Sequence, residues 1–153
     1  MEIRVDDLKG PEIAALLETH LKLAAAASPA DSVHVLDLNG LRVPQVTFWT
    51  AWEDANLLGC GALKELGNSE CEIKSMHTAQ AHRGKGVASA IVKVILKTAR
   101  ARGLARINLE TGSSTEFAPA RKLYASFGFQ ECGPFADYPV HDFSTFMTLA
   151  LNP

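Results

Sequence analysis

The stretch that most constrains the fold is a helix with a sharp apolar stripe, entered through a glycine-rich basic loop and bracketed by two strand-like segments. Val87, Ile91, Val94 and Ile95 fall at i, i+4, i+7 and i+8, the period of one helix face, while Lys93, Lys97 and Arg100 lie off it. Gly103 closes this helix. Before it come an alternating strand over 72–78 and the loop Arg83-Gly84-Lys85-Gly86; after it, 106–110 alternates around Ile107 and Leu109. A glycine-rich loop that feeds a helix leaves backbone N–H groups unpaired at the positive end of the helix dipole, which suits a phosphate. Gly84 and Gly86 allow close backbone approach, and Arg83 and Lys85 add charge. Taken alone, the same loop also reads as a basic turn before an ordinary helix.

Composition narrows the classes. A chain of 153 residues, 47% of them hydrophobic and 7% aromatic, fits one domain spanning 1–153 and excludes wholesale disorder. Fifteen basic against 17 acidic side chains give a formal charge of −2, so there is no global basic field and no nucleic-acid partner is expected. Cys60, Cys71 and Cys132 are too few and too unevenly spaced for a disulfide framework or a C-x-x-C pair, which points to a reducing cytoplasm. The N-terminus alternates charge with apolar residues as a first strand does, and the charge-free run 23–30 is far short of the ~20 residues a bilayer span needs. No membrane partner is expected.

Along the chain, Pro11 suits the first turn of a helix carrying Ile13, Leu16, Leu17, His20 and Leu21. From Ala24 to Pro44 no clean period appears, and a short helix or irregular cap is expected. Val46, Phe48, Thr50 and Trp52 then share one face of a strand, a turn at 53–56 leads into a second, and Gly67-Asn68-Ser69 turns into a third. In that third strand Cys71, Ile73 and Ser75 alternate with Glu72, Lys74 and Met76. The hydroxyls of 111–115 are candidates to cap a helix that runs to about Ser126, and 143–151 reads as a last strand or two.

Other phosphate loops fail. Gly59-Cys60-Gly61 begins like a dinucleotide fingerprint but has Lys64 at the third glycine position, and no G-x-x-x-x-G-K-[ST] occurs. Arg83, Gly86 and Ala88 do satisfy Arg/Gln-x-x-Gly-x-Gly/Ala, and Ala120-Arg121-Lys122-Leu123-Tyr124 followed by Phe127-Gly128-Phe129 matches A-x-x-L-Y-x-x-x-G-F. With these two motifs in order the chain resembles the GNAT acyltransferases (Gcn5-related N-acetyltransferases). Glu72-Ile73-Lys74-Ser75-Met76, Leu109-Glu110-Thr111-Gly112 and Gly133-Pro134-Phe135-Ala136-Asp137-Tyr138 are similar to a bacterial YsnE-type branch.

The resemblance implies an α/β (α+β) acyl-CoA acyltransferase fold: a mixed, mostly antiparallel sheet flanked by helices, with splayed central strands holding acetyl-CoA. It puts the pyrophosphate on Arg83, Gly84, Lys85, Gly86, Val87 and Ala88, and the pantothenate arm along the main chain of Met76, His77 and Thr78. One departure is Phe117, where the family often has Asn. The implied reaction is direct transfer of acetyl to an amine acceptor, a small molecule or a protein amine. The amine must lose a proton and the departing thiolate must gain one. Tyr124 suits the second task; Glu72 is the preferred base, on a face shared with Lys74 and Met76, with Glu110 or a water as rivals. Either carboxylate also reads as an ion-paired strand residue beside Lys74 or Arg106. A non-catalytic acyl-CoA-binding module is the other reading of the same motifs.

The remaining candidates read blandly. His77 and His82 do not share a helical face as zinc ligands would, so no metal is expected, and Cys60 reads as core. Trp49 and Trp52 point to opposite sides of their strand, so at most one packs in the core. Phe135, Tyr138 and His141 could shape the acceptor site, and an exposed final strand or the aromatic meander leaves room for a homodimer.

Overall fold

In the computed structural model, residues 1–27, 38–136, 138–139 and 142–151 are described. Strands β1 (Glu2–Val5), β2 (Val46–Glu53), β3 (Asn56–Gly67), β4 (Glu70–Thr78), β5 (Arg106–Gly112), β6 (Gln130–Cys132) and β7 (Ser144–Ala150) form one sheet in the order β1-β2-β3-β4-β5-β7-β6. Neighbours are antiparallel except β4 and β5, which run parallel because the chain returns through a helix. That helix is α3 (Val87–Ala101); the others are α1 (Pro11–Ala27), α2 (Leu38–Leu41) and α4 (Ala118–Ser126).

Helices cover both faces. On one, Val87, Ile91, Val92, Ile95, Leu96 and Ala99 of α3 and Tyr124 of α4 pack with Cys71, Ile73, Ile107 and Leu109. On the other, Ile13 and Leu17 of α1 and Leu41 of α2 pack on Phe48, Cys60 and Ala62. Helix α1 begins at Pro11 as expected but runs to Ala27, because Ala24 to Ala27 are strong helix formers rather than a break. The expected cap between Ala24 and Pro44 otherwise lies in part outside the described residues. The β3–β4 turn uses Asn68 and Ser69, both at positive φ (56° and 62°), as a two-residue hairpin of primed type requires.

Three local readings are corrected. No side-chain hydroxyl caps α4: a 3₁₀ turn (Thr115–Phe117) precedes it, and Ser113 Oγ pairs with Thr145 Oγ1 instead. The connection is tied down by Arg121, whose guanidinium donates to the carbonyls of Gly112 and Ser114. Strand β6, three residues long, carries too short a pattern to be read from sequence. The largest correction concerns β4. Cys60 pairs with His77 and Ala62 with Lys74, so Ser75 and Met76 together oppose the single Gly61, and Ser75 sits at φ 55°. This β-bulge resets the alternation. Met76 joins Ile73 on the α3 face, while Glu72 and Lys74 share the other face with His77 rather than with Met76.

The α3 face above the bulge has no spare room, since a Cβ on Gly61 would collide with Met76 Sδ and lie 2.7 Å from Ile91 Cγ2. Gly61→Ala is therefore expected to lower stability by about 1–3 kcal/mol through overpacking, read as a fall in the thermal midpoint. Gly133→Ala, with no atom within 4 Å of the new Cβ, serves as the unchanged control.

Candidate active site

The site is organised by a failure of pairing. β4 and β5 stay paired from Glu70↔Arg106 to Ile73↔Leu109 and then part, β4 continuing to Thr78 and β5 to Gly112 against β7. Beyond Ile73 the β5-facing edge of β4 therefore keeps main-chain groups that an extended ligand could pair with. Met76, His77 and Thr78 lie on this edge, each half-buried.

The edge leads into the loop before α3. Gly84 and Gly86 adopt φ of 78° and 80°, left-handed values that a side chain would strain, and Gly86 is the N-cap of the helix. The first helical hydrogen bond runs from Ala90 N–H to the Gly86 carbonyl, and the N–H groups of 84–89 find no acceptor among the described residues. Arg83 and Lys85 are exposed beside them, and Lys85 Nζ donates to His82 Nδ1 at 3.1 Å. Outward N–H groups, two glycines that allow close approach and two cations fit a pyrophosphate. Val87 is buried under the loop and Ala88 half-buried, so these two contribute backbone to the loop's rim.

On the face away from α3, a polar cluster lies where β4 and β5 part. Lys74 Nζ donates to Glu72 Oε2 at 3.0 Å and to Tyr138 Oη at 2.5 Å, and Tyr138 Oη donates to the same Oε2 at 2.6 Å. Glu72 and Lys74 are nearly inaccessible, at 3% and 8% exposed. The Oε1 of Glu72 has no hydrogen-bond partner among the described residues. Glu110 Oε2 accepts from Ser144 Oγ at 2.8 Å. Burial, then the charges of Glu72 and Glu110, push the Tyr138 phenol upward and keep it protonated. Phe135 and Phe146 wall this cluster, with Tyr138 5.1 Å and 5.7 Å away between ring centres. Asp137 and His141 of the same segment lie outside the described residues.

Tyr124 is 5% exposed and stands edge-on to Phe129, at 5.7 Å; burial raises its phenol above the ordinary value, so it stays protonated. It packs on the α3 face, across the sheet from Glu72. Phe117 lies against Gly112, where a Cβ would meet its ring, so this aromatic closes the end of β5 in place of a polar side chain. Cys60 is fully buried, donates to the Ser75 carbonyl, and has its thiol pushed up to about 12 by burial, which leaves it inert. Trp49 enters the main core, whereas Trp52 is half-buried, donates to Thr50 Oγ1 and stacks under Arg4. Among the described residues no His, Cys, Asp or Glu side chains gather as metal ligands, and no helix is long and apolar enough to cross a membrane.

Two contacts escaped the sequence reading. Tyr138 reaches Glu72 across 66 positions, and His20 Nδ1 meets His77 Nδ1 at 3.1 Å across 57. The only signal in the sequence was His20 on the apolar face of α1.

Residues 13–129 match the acetyltransferase (GNAT) family. The chain belongs to that family. It is 51% identical over 151 residues to the uncharacterized N-acetyltransferase YsnE of Bacillus subtilis (strain 168), covering 99% of this chain and 100% of that protein. It is 44% identical over 149 residues to the uncharacterized N-acetyltransferase YedL of Escherichia coli (strain K12), covering 97% and 94%. The crystal structure of an aminoglycoside 6'-N-acetyltransferase complexed with coenzyme A shares its fold, with a TM-score of 0.73 over 100% of this chain and 98% of that one at 16% identity. This GNAT protein is an N-acetyltransferase of a bacterial YsnE-like kind, and GNAT acetyltransferases use acetyl-CoA.

Two expectations follow from the electrostatics. Lys74→Met strands the buried Glu72 carboxylate and should cost about 3–5 kcal/mol in denaturant unfolding, most of it regained in the double variant Glu72→Leu/Lys74→Met. Burial, and then His77, lower the His20 pKa to about 4, below its ordinary 6.5. The unfolded chain therefore binds a proton at His20 between those values while the folded one does not. Stability should fall as pH drops from about 6.5 towards 4, a slope that thermal melts of His20→Phe should show weakened.

Proposed function

We propose that residues 1–153 act as one acetyltransferase domain that binds acetyl-CoA along the open edge of β4 and the loop 83–88, and passes its acetyl group to an amine presented at the Glu72 face. The observation that carries this reading is the continuity of the unpaired β4 edge with a helix N-terminus whose N–H groups lack acceptors among the described residues. In it the main chain of Met76, His77 and Thr78 holds the extended arm, and Arg83, Gly84, Lys85, Gly86, Val87 and Ala88 hold the phosphates. Acetyl-CoA supplies an activated thioester, at whose carbonyl carbon the C–N bond forms as the C–S bond breaks.

The chain's own residues then move two protons. Glu72, whose Oε2 pairs with Lys74, has an Oε1 with no partner among the described residues to take the proton of the acceptor ammonium, directly or through a water. Tyr124, kept protonated by burial, gives its proton to the departing thiolate. Glu110, already bonded to Ser144, is the alternative base. Such proton transfers contribute roughly 10²–10⁴-fold, whereas orienting amine and thioester supplies effective molarities of ~10⁵–10⁸ M, so the cofactor loop outweighs the proton carriers. The acceptor is an amine whose cation the carboxylates of this face would tolerate.

Gly86→Glu, which sets bulk and negative charge at a left-handed position, should abolish acetyl-CoA binding in calorimetric titration. Tyr124→Phe should bind acetyl-CoA normally and release thiol about 10²-fold more slowly with an amine panel. Intact binding by the Gly86 variant would sink the loop assignment.

A further inference from the structure

His20 of α1 and His77 of β4 meet through their Nδ1 atoms at 3.1 Å, their rings edge-on with centres 5.0 Å apart. A single proton fits between two such nitrogens, so one ring donates and the other accepts, and each neutral imidazole carries one N–H. Burial lowers both pKa values, for His77 with help from the nearby Arg83 cation, so both rings are neutral at pH 7. Two tautomeric arrangements remain, and they differ at His20 Nε2, which is buried and has no hydrogen-bond partner among the described residues.

If His77 donated, the proton of His20 would sit on that Nε2 as a buried, unpaired N–H, a group folded proteins rarely tolerate. If His20 donates, the buried Nε2 is a bare lone pair, the less costly orphan. The proton of His77 is then on its own Nε2, on a half-buried ring at the strand edge that β5 leaves open. Among the described residues no charged side chain bonds to either ring: Glu18 and Lys22 of α1 pair with each other, and the Cys60 thiol opposite His77 bonds to Ser75.

We infer that His20 is a positioning residue that fixes His77 as a neutral Nε2–H donor, which hydrogen-bonds the acyl oxygen as it gains negative charge during transfer and does not take the amine's proton. The inference rests on acetyl transfer taking place at the open β4 edge. It assigns the deprotonation of the amine to a carboxylate, because the one basic nitrogen of His77 already accepts from His20.

The test begins with ¹⁵N NMR of the imidazoles in the full chain at pH 7, a readout that needs no activity. The expected pattern is a pyridine-type Nδ1 and pyrrole-type Nε2 for His77 and the reverse for His20; the opposite assignment overturns the inference. His20→Phe should shift the His77 nitrogens towards averaged values, and His20→Asn, whose amide can donate to Nδ1, should restore them. In acetyl transfer, His77→Leu should lower kcat about 10²-fold with the acetyl-CoA KM little changed, as for loss of one transition-state donor. His77→Gln, which keeps an N–H at that reach, should stay within about tenfold of wild type. Equal losses in the Leu and Gln variants would refute a donor role. Absence of acetyl transfer by the wild type would instead refute the reading of the site, and leave the NMR pattern to decide the tautomer.

Discussion

Everything in this molecule is arranged around two neighbouring strands that stop pairing part-way along. β4 and β5 hydrogen-bond as a parallel pair up to Ile73 and Leu109 and then part. Unpaired main-chain groups in a sheet are costly when they are shut away from water, so the break has to open onto solvent or a ligand. Helices on both faces hold the sheet together around the break: α3 and α4 clamp Ile73, Ile107 and Leu109 from one side, and α1 reaches β4 from the other. The bulge at Ser75 and Met76 sits just beyond the last paired residue and brings His77 onto the face of Glu72 and Lys74, where it meets His20 of α1. A strand that alternated strictly would put Met76 there instead.

The charged groups near the break bond to one another, which is how charge survives in this interior, although Ser75 Oγ and His20 Nε2 are buried with no partner among the described residues. Glu72, Lys74 and Tyr138 form a closed triangle of hydrogen bonds within 3.0 Å, tying the segment before β7 to β4. An unpaired carboxylate at 3% exposure would be strongly destabilising, so the ion pair stabilises chiefly by preventing that state rather than by its own attraction. At the other end of the open edge the balance is reversed, and the N–H groups of 84–89 find no acceptor among the described residues, on a loop whose residues 84–86 are exposed. The two ends thus differ in kind: a rigid polar wall at one, a run of backbone donors at the other.

How much of this was legible in the chain divides along the range of the interactions. The loop, its helix and the closing Gly103 were readable because each rests on neighbouring residues: period along one face, left-handed glycines, an N-terminus with free donors. The two motifs around Arg83 and Tyr124 carried the family, and with it the mixed sheet. Alternation in β4 misled at Met76, since a bulge is decided by the partner strand, where Gly61 leaves space for Met76 Sδ. Hydroxyls at 111–115 misled as caps because β5 extends to Gly112 and engages Ser113 through β7.

Consecutive residues alone encode the glycine loop, the amphipathic helix behind it and the family to which both belong, because backbone conformation and helical period are properties of neighbours in the chain. The polar contacts across β4 depend on the tertiary structure. His20 and His77 lie 57 positions apart, and Tyr138 lies 66 from Glu72, so their contacts exist solely because the sheet order and the bulge bring α1 and the last segment to the same face of β4. A proton's location between two imidazoles, or a carboxylate's partner, depends on separations of about 3 Å, and no spacing along a chain encodes these.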